Sequence, residues 1–103
     1  MTDAAPEGAA DASIGALRRT LPIANKRGLH ARAAAKFVRT AGQFDAVIRV
    51  SFKGQDVSGL SIMGLMMLAA GIGSSIEVSC SGRQGTEALA ALSALVEGKF
   101  GED

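Results

Sequence analysis

The stretch AVIRVSFKGQDVS at residues 46–58 decides the fold, because it holds a clear strand pattern next to a clear turn. Apolar side chains at alternate positions from Ala46 to Phe52 indicate a strand with one buried face. The following Lys-Gly-Gln-Asp has the composition of a tight turn, so a short antiparallel strand is expected over Gln55–Ser58. The hairpin supplies two neighbouring strands of a sheet.

Working outward, two more alternating segments predict strands, one from Leu17 to about Ala24 and one over Ile76–Cys80. Pro22 cannot donate a ladder hydrogen bond, which favours an edge position for the first strand or a bulge at Pro22. Helices are predicted over residues 31–40, 62–69 and 86–97 from their apolar spacing, capping residues and glycine stops. The order β-α-β-β-α-β-α predicts an α+β fold of two layers, with helices on one face of a mostly antiparallel sheet.

Length and composition limit the organisation and the class of protein. With 103 residues the chain forms one domain; we expect residues 1–16 to be a flexible tail and residues 17–103 to be the folded unit. A single Cys and a single His exclude an internal disulfide and disfavour a metal site, and no cofactor is expected. No transmembrane segment or secretory signal is recognisable, so a cytoplasmic protein without membrane contact is expected.

Charge is unevenly distributed although the net charge is only +1. No acidic residue occurs between Asp11 and Asp45, whereas that window holds seven basic ones: Arg18, Arg19, Lys26, Arg27, Arg32, Lys36 and Arg39. The window is either a solvated basic face or a surface for an anion or an acidic partner. Trp and Tyr are absent, which disfavours stacking of bases and hence nucleic-acid binding.

The lone histidine, His30, lies in this window where a turn becomes a helix. The first N–H groups of a helix have no internal partner and carry partial positive charge, so a phosphate is stabilised there. Arg32, two residues on, supplies a charge-assisted hydrogen bond. The pattern predicts a phosphoryl acceptor, although a histidine at a helix start is also common as an ordinary polar turn residue.

The segment GLHARAA at residues 28–34, followed by Phe37 and Val38, resembles the active-site signature of HPr, the histidine-containing phosphocarrier of the phosphoenolpyruvate phosphotransferase system. SIMGLMML at residues 61–68 is similar to the family's regulatory serine segment, and the end of the chain is similar to nitrogen-type members. The resemblance implies an open-faced sandwich of four antiparallel strands with three helices on one side.

The resemblance also implies a function and a set of partners. Enzyme I would donate a phosphoryl group to His30, by family analogy to Nδ1, and an enzyme IIA-type protein would receive it. Arg32 and the N–H groups of Ala31 and Arg32 would bind the phosphate. The chain would be a substrate of its partner enzymes and not an independent catalyst, and a monomer is expected because a carrier has to release its partners.

Two further features are read in the light of the resemblance. Ser61 is predicted to cap the second helix, and in relatives the matching serine is phosphorylated by HPr kinase. The short second helix cannot bury every face, so a partner-binding surface is expected, with an apolar centre and a basic rim. Its predicted members are Ile62, Met63, Met66, Arg27 and Lys36.

One position departs from the family pattern, since Ala33 stands where relatives usually have proline. Proline early in a helix fixes φ and lacks only an N–H that has no helical partner. The departure therefore concerns the rigidity of the motif more than its chemistry. A second interpretation of the whole chain stays open, namely a small non-catalytic regulatory module that binds a metabolite or a partner protein.

Overall fold

The predicted hairpin is present in the computed structural model, which describes residues 16–102. Strand β2 spans Val47–Phe52 and pairs antiparallel with β3, Gln55–Ser58, in the register Val50 opposite Val57. Lys53 and Gly54 make the turn with positive φ angles of 48° and 81°. The strand β2 begins one residue later than the alternation indicated, and β3 has the predicted bounds.

Two more strands complete one antiparallel sheet. Strand β1 spans Leu17–Pro22 and β4 spans Ser75–Ser81, and the order across the sheet is β1-β4-β2-β3. β1 pairs only with β4, so Pro22 lies on an edge strand as predicted. Only Leu21 of β1 is buried, because an edge strand is covered on fewer sides than a central one.

In the described part of the chain, residues 16–102, three α-helices pack on one face of the sheet. They are α1, Ala31–Ala41, α2, Ile62–Met67, and α3, Gly85–Glu97, and a short 3₁₀ turn follows at Lys99–Gly101. Helix α2 ends two residues earlier than predicted, because the chain turns at Ala69, which has a φ of 57°. Within residues 16–102 no helix has the length and apolar character needed to cross a membrane.

The core lies between the sheet and the helices. Inward side chains of the central strands alternate with exposed ones, and they meet Phe37 of α1, Leu65 of α2 and Leu92 of α3, all fully buried. Leu68 is buried as predicted, at 3% exposure. Cys80 is buried in the same core, and burial raises the pKa of its thiol to about 11, so the thiol stays protonated and unreactive at neutral pH.

Candidate functional site

The start of α1 exposes a set of backbone donors. His30 is the N-cap residue, with extended backbone angles, and its side chain makes no capping hydrogen bond. The first intrahelical bond runs from the N–H of Ala34 to the carbonyl of His30, at 2.9 Å. The N–H groups of Ala31, Arg32 and Ala33 precede that bond and have no helical partner; those of the exposed Ala31 and Arg32 are available to an anion.

A tight loop fixes the position of this helix start. Gly28 has a φ of 64°, and the N–H of Leu29 donates to the carbonyl of Ala70 at 3.0 Å. A Cβ atom on Gly28 would lie 2.4 Å from the carbonyl oxygen of Ala70 and 2.8 Å from Cα of Gly71. The loop before His30 is therefore pressed against the segment after α2, and only glycine fits there.

The imidazole of His30 contacts a carboxylate from the other end of the chain. Nε2 of His30 lies 2.8 Å from Oε2 of Glu102, and each side chain is only 14% exposed. The second carboxylate oxygen, Oε1, accepts a hydrogen bond of 3.3 Å from Nδ2 of Asn25. Asn25 is fully buried and also donates to the carbonyl of Gly28 at 2.9 Å, so it links the carboxylate to the loop.

The carboxylate of Glu102 is ionised in this setting. Partial burial raises the pKa of this carboxyl group. Hydrogen bonds from His30 and Asn25 and electrostatic attraction to His30 and Lys36 lower the pKa by more than burial raises it, so the net shift is downward. An ionised carboxylate only accepts hydrogen bonds, so Nε2 of His30 has to be the donor. The contact persists at neutral pH and is lost as the pH falls through the lowered pKa of Glu102.

The 3₁₀ turn brings Glu102 to the histidine. Lys99 and Phe100 both have left-handed φ angles, of 58° and 57°, which a bulky residue adopts only at a cost of about 1–2 kcal/mol. Phe100 is fully buried, and burying a phenylalanine side chain stabilises by about 1.5–3 kcal/mol, so the turn is held by its aromatic anchor. Nζ of Lys36 adds a hydrogen bond of 2.6 Å to the carbonyl of Phe100.

The predicted phosphate and partner residues lie on the same side of the molecule as α1 and α2. Arg32 and Ala31 are exposed in the first turn of α1, and Arg27 is exposed in the loop before it. Lys36 is only half exposed, because its ammonium is engaged by the C-terminal turn. Of the predicted apolar members of the surface, all are exposed, to 42%, 66% and 38% for Ile62, Met63 and Met66.

Ser61 is the N-cap residue of α2, as the sequence indicated. Its Oγ accepts a hydrogen bond of 2.9 Å from the N–H of Gly64. Met67, at the end of the helix, is exposed as well, and two further exposed apolar side chains close to the helix in the chain were not predicted as part of the surface: Leu60 and Ile72. The surface of α2 is thus more apolar than expected from its three predicted members.

Three residues of the site were not anticipated from the sequence. Asn25 was interpreted only as part of a turn, and neither Phe100 nor Glu102 carried any motif. The approach of Glu102 to His30 joins positions 72 apart in the chain, which no sequence spacing indicates.

Ala33 is the third residue of α1 and is fully buried. Its N–H lies before the first intrahelical bond, so proline there removes no helical hydrogen bond. We expect Ala33→Pro to leave the free energy of unfolding unchanged or to raise it by up to about 1 kcal/mol, because proline restricts the unfolded chain. Urea denaturation measures this. A loss of stability would mean that the packing around Ala33 has no room for the ring.

Comparison with known proteins agrees with this geometry. The sequence profile described as "PTS HPr component phosphorylation site" matches residues 17–98. Phosphocarrier protein HPr of Cupriavidus necator is 49% identical over 86 residues, which are 84% of this chain and 97% of that protein. Phosphocarrier protein NPr of Shewanella violacea is 43% identical over 86 residues, covering 84% of this chain and 94% of that protein.

Solved structures with a similar fold are also HPr proteins. A crystal structure of HPr-C-His from Thermoanaerobacter tengcongensis superimposes with a TM-score of 0.81 at 44% identity, over 84% of this chain and 98% of that one. Residues 16–102 thus form a four-stranded antiparallel sheet with three helices on one face and a histidine at the start of the first of these helices, a fold shared with phosphocarrier proteins. The chain belongs to the HPr family of the phosphoenolpyruvate phosphotransferase system.

Proposed function

We propose that this protein accepts a phosphoryl group from enzyme I on Nδ1 of His30 and passes it to an enzyme IIA-type protein. The observation that carries the proposal is the position of His30 at the N-cap of α1, with Nε2 held by Glu102. Because Nε2 is the donor in that contact, Nδ1 is left with a free electron pair. The nucleophile proposed by analogy with the family is therefore also the one that the contact leaves available.

Groups that can hold the transferred phosphate lie in the first turn of α1, which His30 caps. The free N–H groups at the start of α1 and the guanidinium of Arg32 favour a phosphoryl dianion by hydrogen bonding and by charge. No acidic residue lies in the first turn of α1, and the one carboxylate placed at the histidine, that of Glu102, contacts Nε2 and not Nδ1. Arg32 and the N–H of Ala31 are accordingly the proposed phosphate-binding groups, and the protein works as a substrate of its partners.

We assign partner binding to the surface of α2 and the adjacent start of α1. Exposed Met63 and Met66 adapt to differently shaped partners because methionine has three soft torsions. Arg27 and Arg32 supply positive charge at the rim, which steers an acidic partner toward the histidine. Lys36, the other basic residue of the predicted rim, is already bonded to Phe100, so its contribution to partners is the smaller one. We expect a monomer in solution.

One assay tests the main proposal. Phosphoenolpyruvate, magnesium and enzyme I are mixed with the protein, and phosphate that is labile in acid and stable in base is measured. ³¹P NMR then distinguishes phosphorylation of Nδ1 from that of Nε2. We expect one phosphoryl group per chain on Nδ1, transferable to enzyme IIA. A protein that stays unmodified with an active enzyme I, or is modified on Nε2, contradicts the proposal.

Regulation at Ser61 is a separate part of the proposal. A phosphate on the N-cap residue of α2 would add negative charge to the partner-binding surface, whose rim is basic. The added charge would weaken the binding of acidic partners. We expect HPr kinase and ATP to modify the wild-type chain and to leave Ser61→Ala unmodified, as read by intact mass. The same substitution removes the bond to the N–H of Gly64 and costs about 1 kcal/mol of stability. Modification of both proteins alike would rule out Ser61.

A further inference from the structure

The carboxylate of Glu102 does more than lie near His30. It lies 2.8 Å from Nε2 of His30, is 14% exposed, and has its second oxygen bonded to the buried Asn25. We infer that Glu102 is a positioning residue for phosphoryl transfer, which keeps the proton on Nε2 in both the free and the phosphorylated ring. This inference rests on the proposed function of His30.

If the proton stays on Nε2, neither the uptake nor the release of the phosphoryl group requires a proton transfer to or from the ring. When the electron pair of Nδ1 attacks phosphorus, the N–P bond forms and the bond from phosphorus to the donor breaks, with its electron pair left on the donor. The ring then carries a positive charge and keeps its Nε2 proton. In the onward step the N–P bond breaks, its electron pair returns to Nδ1, and a neutral imidazole leaves. No proton enters or leaves the ring in either direction.

The ionised carboxylate stabilises the charged stage of this cycle. A negative charge within hydrogen-bond distance favours the protonated form of a ring nitrogen, and protonation makes imidazole a better leaving group because it departs uncharged. Glu102 is itself held ionised: burial raises its pKa, but the hydrogen bonds from His30 and Asn25 and the positive charge of Lys36 outweigh burial, and the pKa lies below its ordinary value. The aromatic anchor Phe100 fixes the turn that presents it.

The second carboxylate oxygen of Glu102 is bonded to Asn25, and this bond fixes the orientation of the carboxylate relative to His30. Nδ2 of Asn25 bonds both Oε1 of Glu102 and the carbonyl of Gly28. These two acceptors determine which way the amide points, and Oδ1 of Asn25 is left without a partner among residues 16–102. An unpartnered buried oxygen costs about 1–3 kcal/mol, so the carboxylate is held in place at the expense of stability.

Glu102→Gln tests the inference, because glutamine keeps the size and removes the charge. The exposed Glu97 of α3 provides the matched control, Glu97→Gln. We expect onward transfer from the phosphorylated Glu102→Gln protein to enzyme IIA to be about tenfold slower than in wild type, given the strength of a charged hydrogen bond. Glu97→Gln should transfer at the wild-type rate, and Glu102→Asp should recover part of the loss.

A second readout separates positioning from a general structural effect. In ¹⁵N NMR of the phosphorylated protein, we expect the ring of Glu102→Gln to lose its Nε2 proton at a pH about one unit lower than in wild type. Equal transfer rates and equal midpoints in Glu102→Gln and wild type would overturn the inference while leaving His30 as the acceptor. Absence of phosphorylation in the wild type would instead contradict the proposed function itself.

Discussion

His30→Ala is expected to take up no phosphoryl group from enzyme I, while the domain stays folded. The substitution removes the nucleophile, and the chain has no second histidine to replace it. It removes no cap from α1, because the side chain of His30 makes no capping hydrogen bond. Loss of activity without loss of structure is the signature of a residue that acts chemically. The measurement is acid-labile phosphate incorporation alongside a thermal unfolding curve.

Ser61→Ala serves as the control for this variant. It alters a capping hydroxyl on α2 and should accept a phosphoryl group on His30 as the wild type does. Label that persists in His30→Ala would place the acceptor elsewhere and would remove the basis of the proposed function. Label lost from both variants would show that enzyme I needs an intact surface around α2, and the assay would then have to be repeated with free phosphoryl donors of low molecular weight.

Gly28→Ala is expected to lower the free energy of unfolding by about 3–4 kcal/mol, the largest stability effect that we predict. Two effects add. The backbone of Gly28 is left-handed, with a φ of 64°, and an added Cβ would lie 2.4 Å from the carbonyl oxygen of Ala70. The backbone cannot move aside cheaply, because the neighbouring N–H of Leu29 bonds that same carbonyl. Urea denaturation followed by far-UV circular dichroism gives the value.

Gly54→Ala separates the two contributions. Gly54 also has a left-handed φ, of 81°, but nothing lies within 4 Å of an added Cβ. Its cost should be that of backbone strain alone, about 1 kcal/mol. Equal losses in the two variants would mean that the loop before His30 gives way without difficulty. The larger loss expected for Gly28→Ala would instead show that the helix start is held rigidly against the segment after α2.

Much of the fold follows from local signals in the sequence. The alternation over residues 46–52 and the turn at Lys53 and Gly54 depend on neighbouring residues only, so the hairpin was predicted with an error of one residue. The predicted end of α2 was wrong by two residues, because the chain takes a left-handed turn at Ala69, and an alanine gives no sequence signal for such a turn. The strand order β1-β4-β2-β3 depends on contacts between distant segments and was not predictable from the alternation.

The candidate site also contains residues that local sequence patterns predict and residues that only the tertiary structure brings to it. His30 and Arg32 were predictable because a helix start, a histidine and an arginine within three residues form a local pattern with a physical meaning. Glu102 was not, because its approach requires Phe100 to be buried after two left-handed residues. Lys36 illustrates an intermediate case: its charge was noticed, but its bond to Phe100 depends on the tertiary structure.

The sheet order also sets the sequence of events by which the chain folds. β2 and β3 are joined by a two-residue turn, whereas α1, β2, β3 and α2 all lie between Pro22 and its partner Ser75. Closing so long a loop costs entropy before any β1 contact forms. We therefore expect the hairpin to form early and β1 to pair last, so that a substitution that weakens β1 accelerates unfolding and leaves the rate of folding almost unchanged.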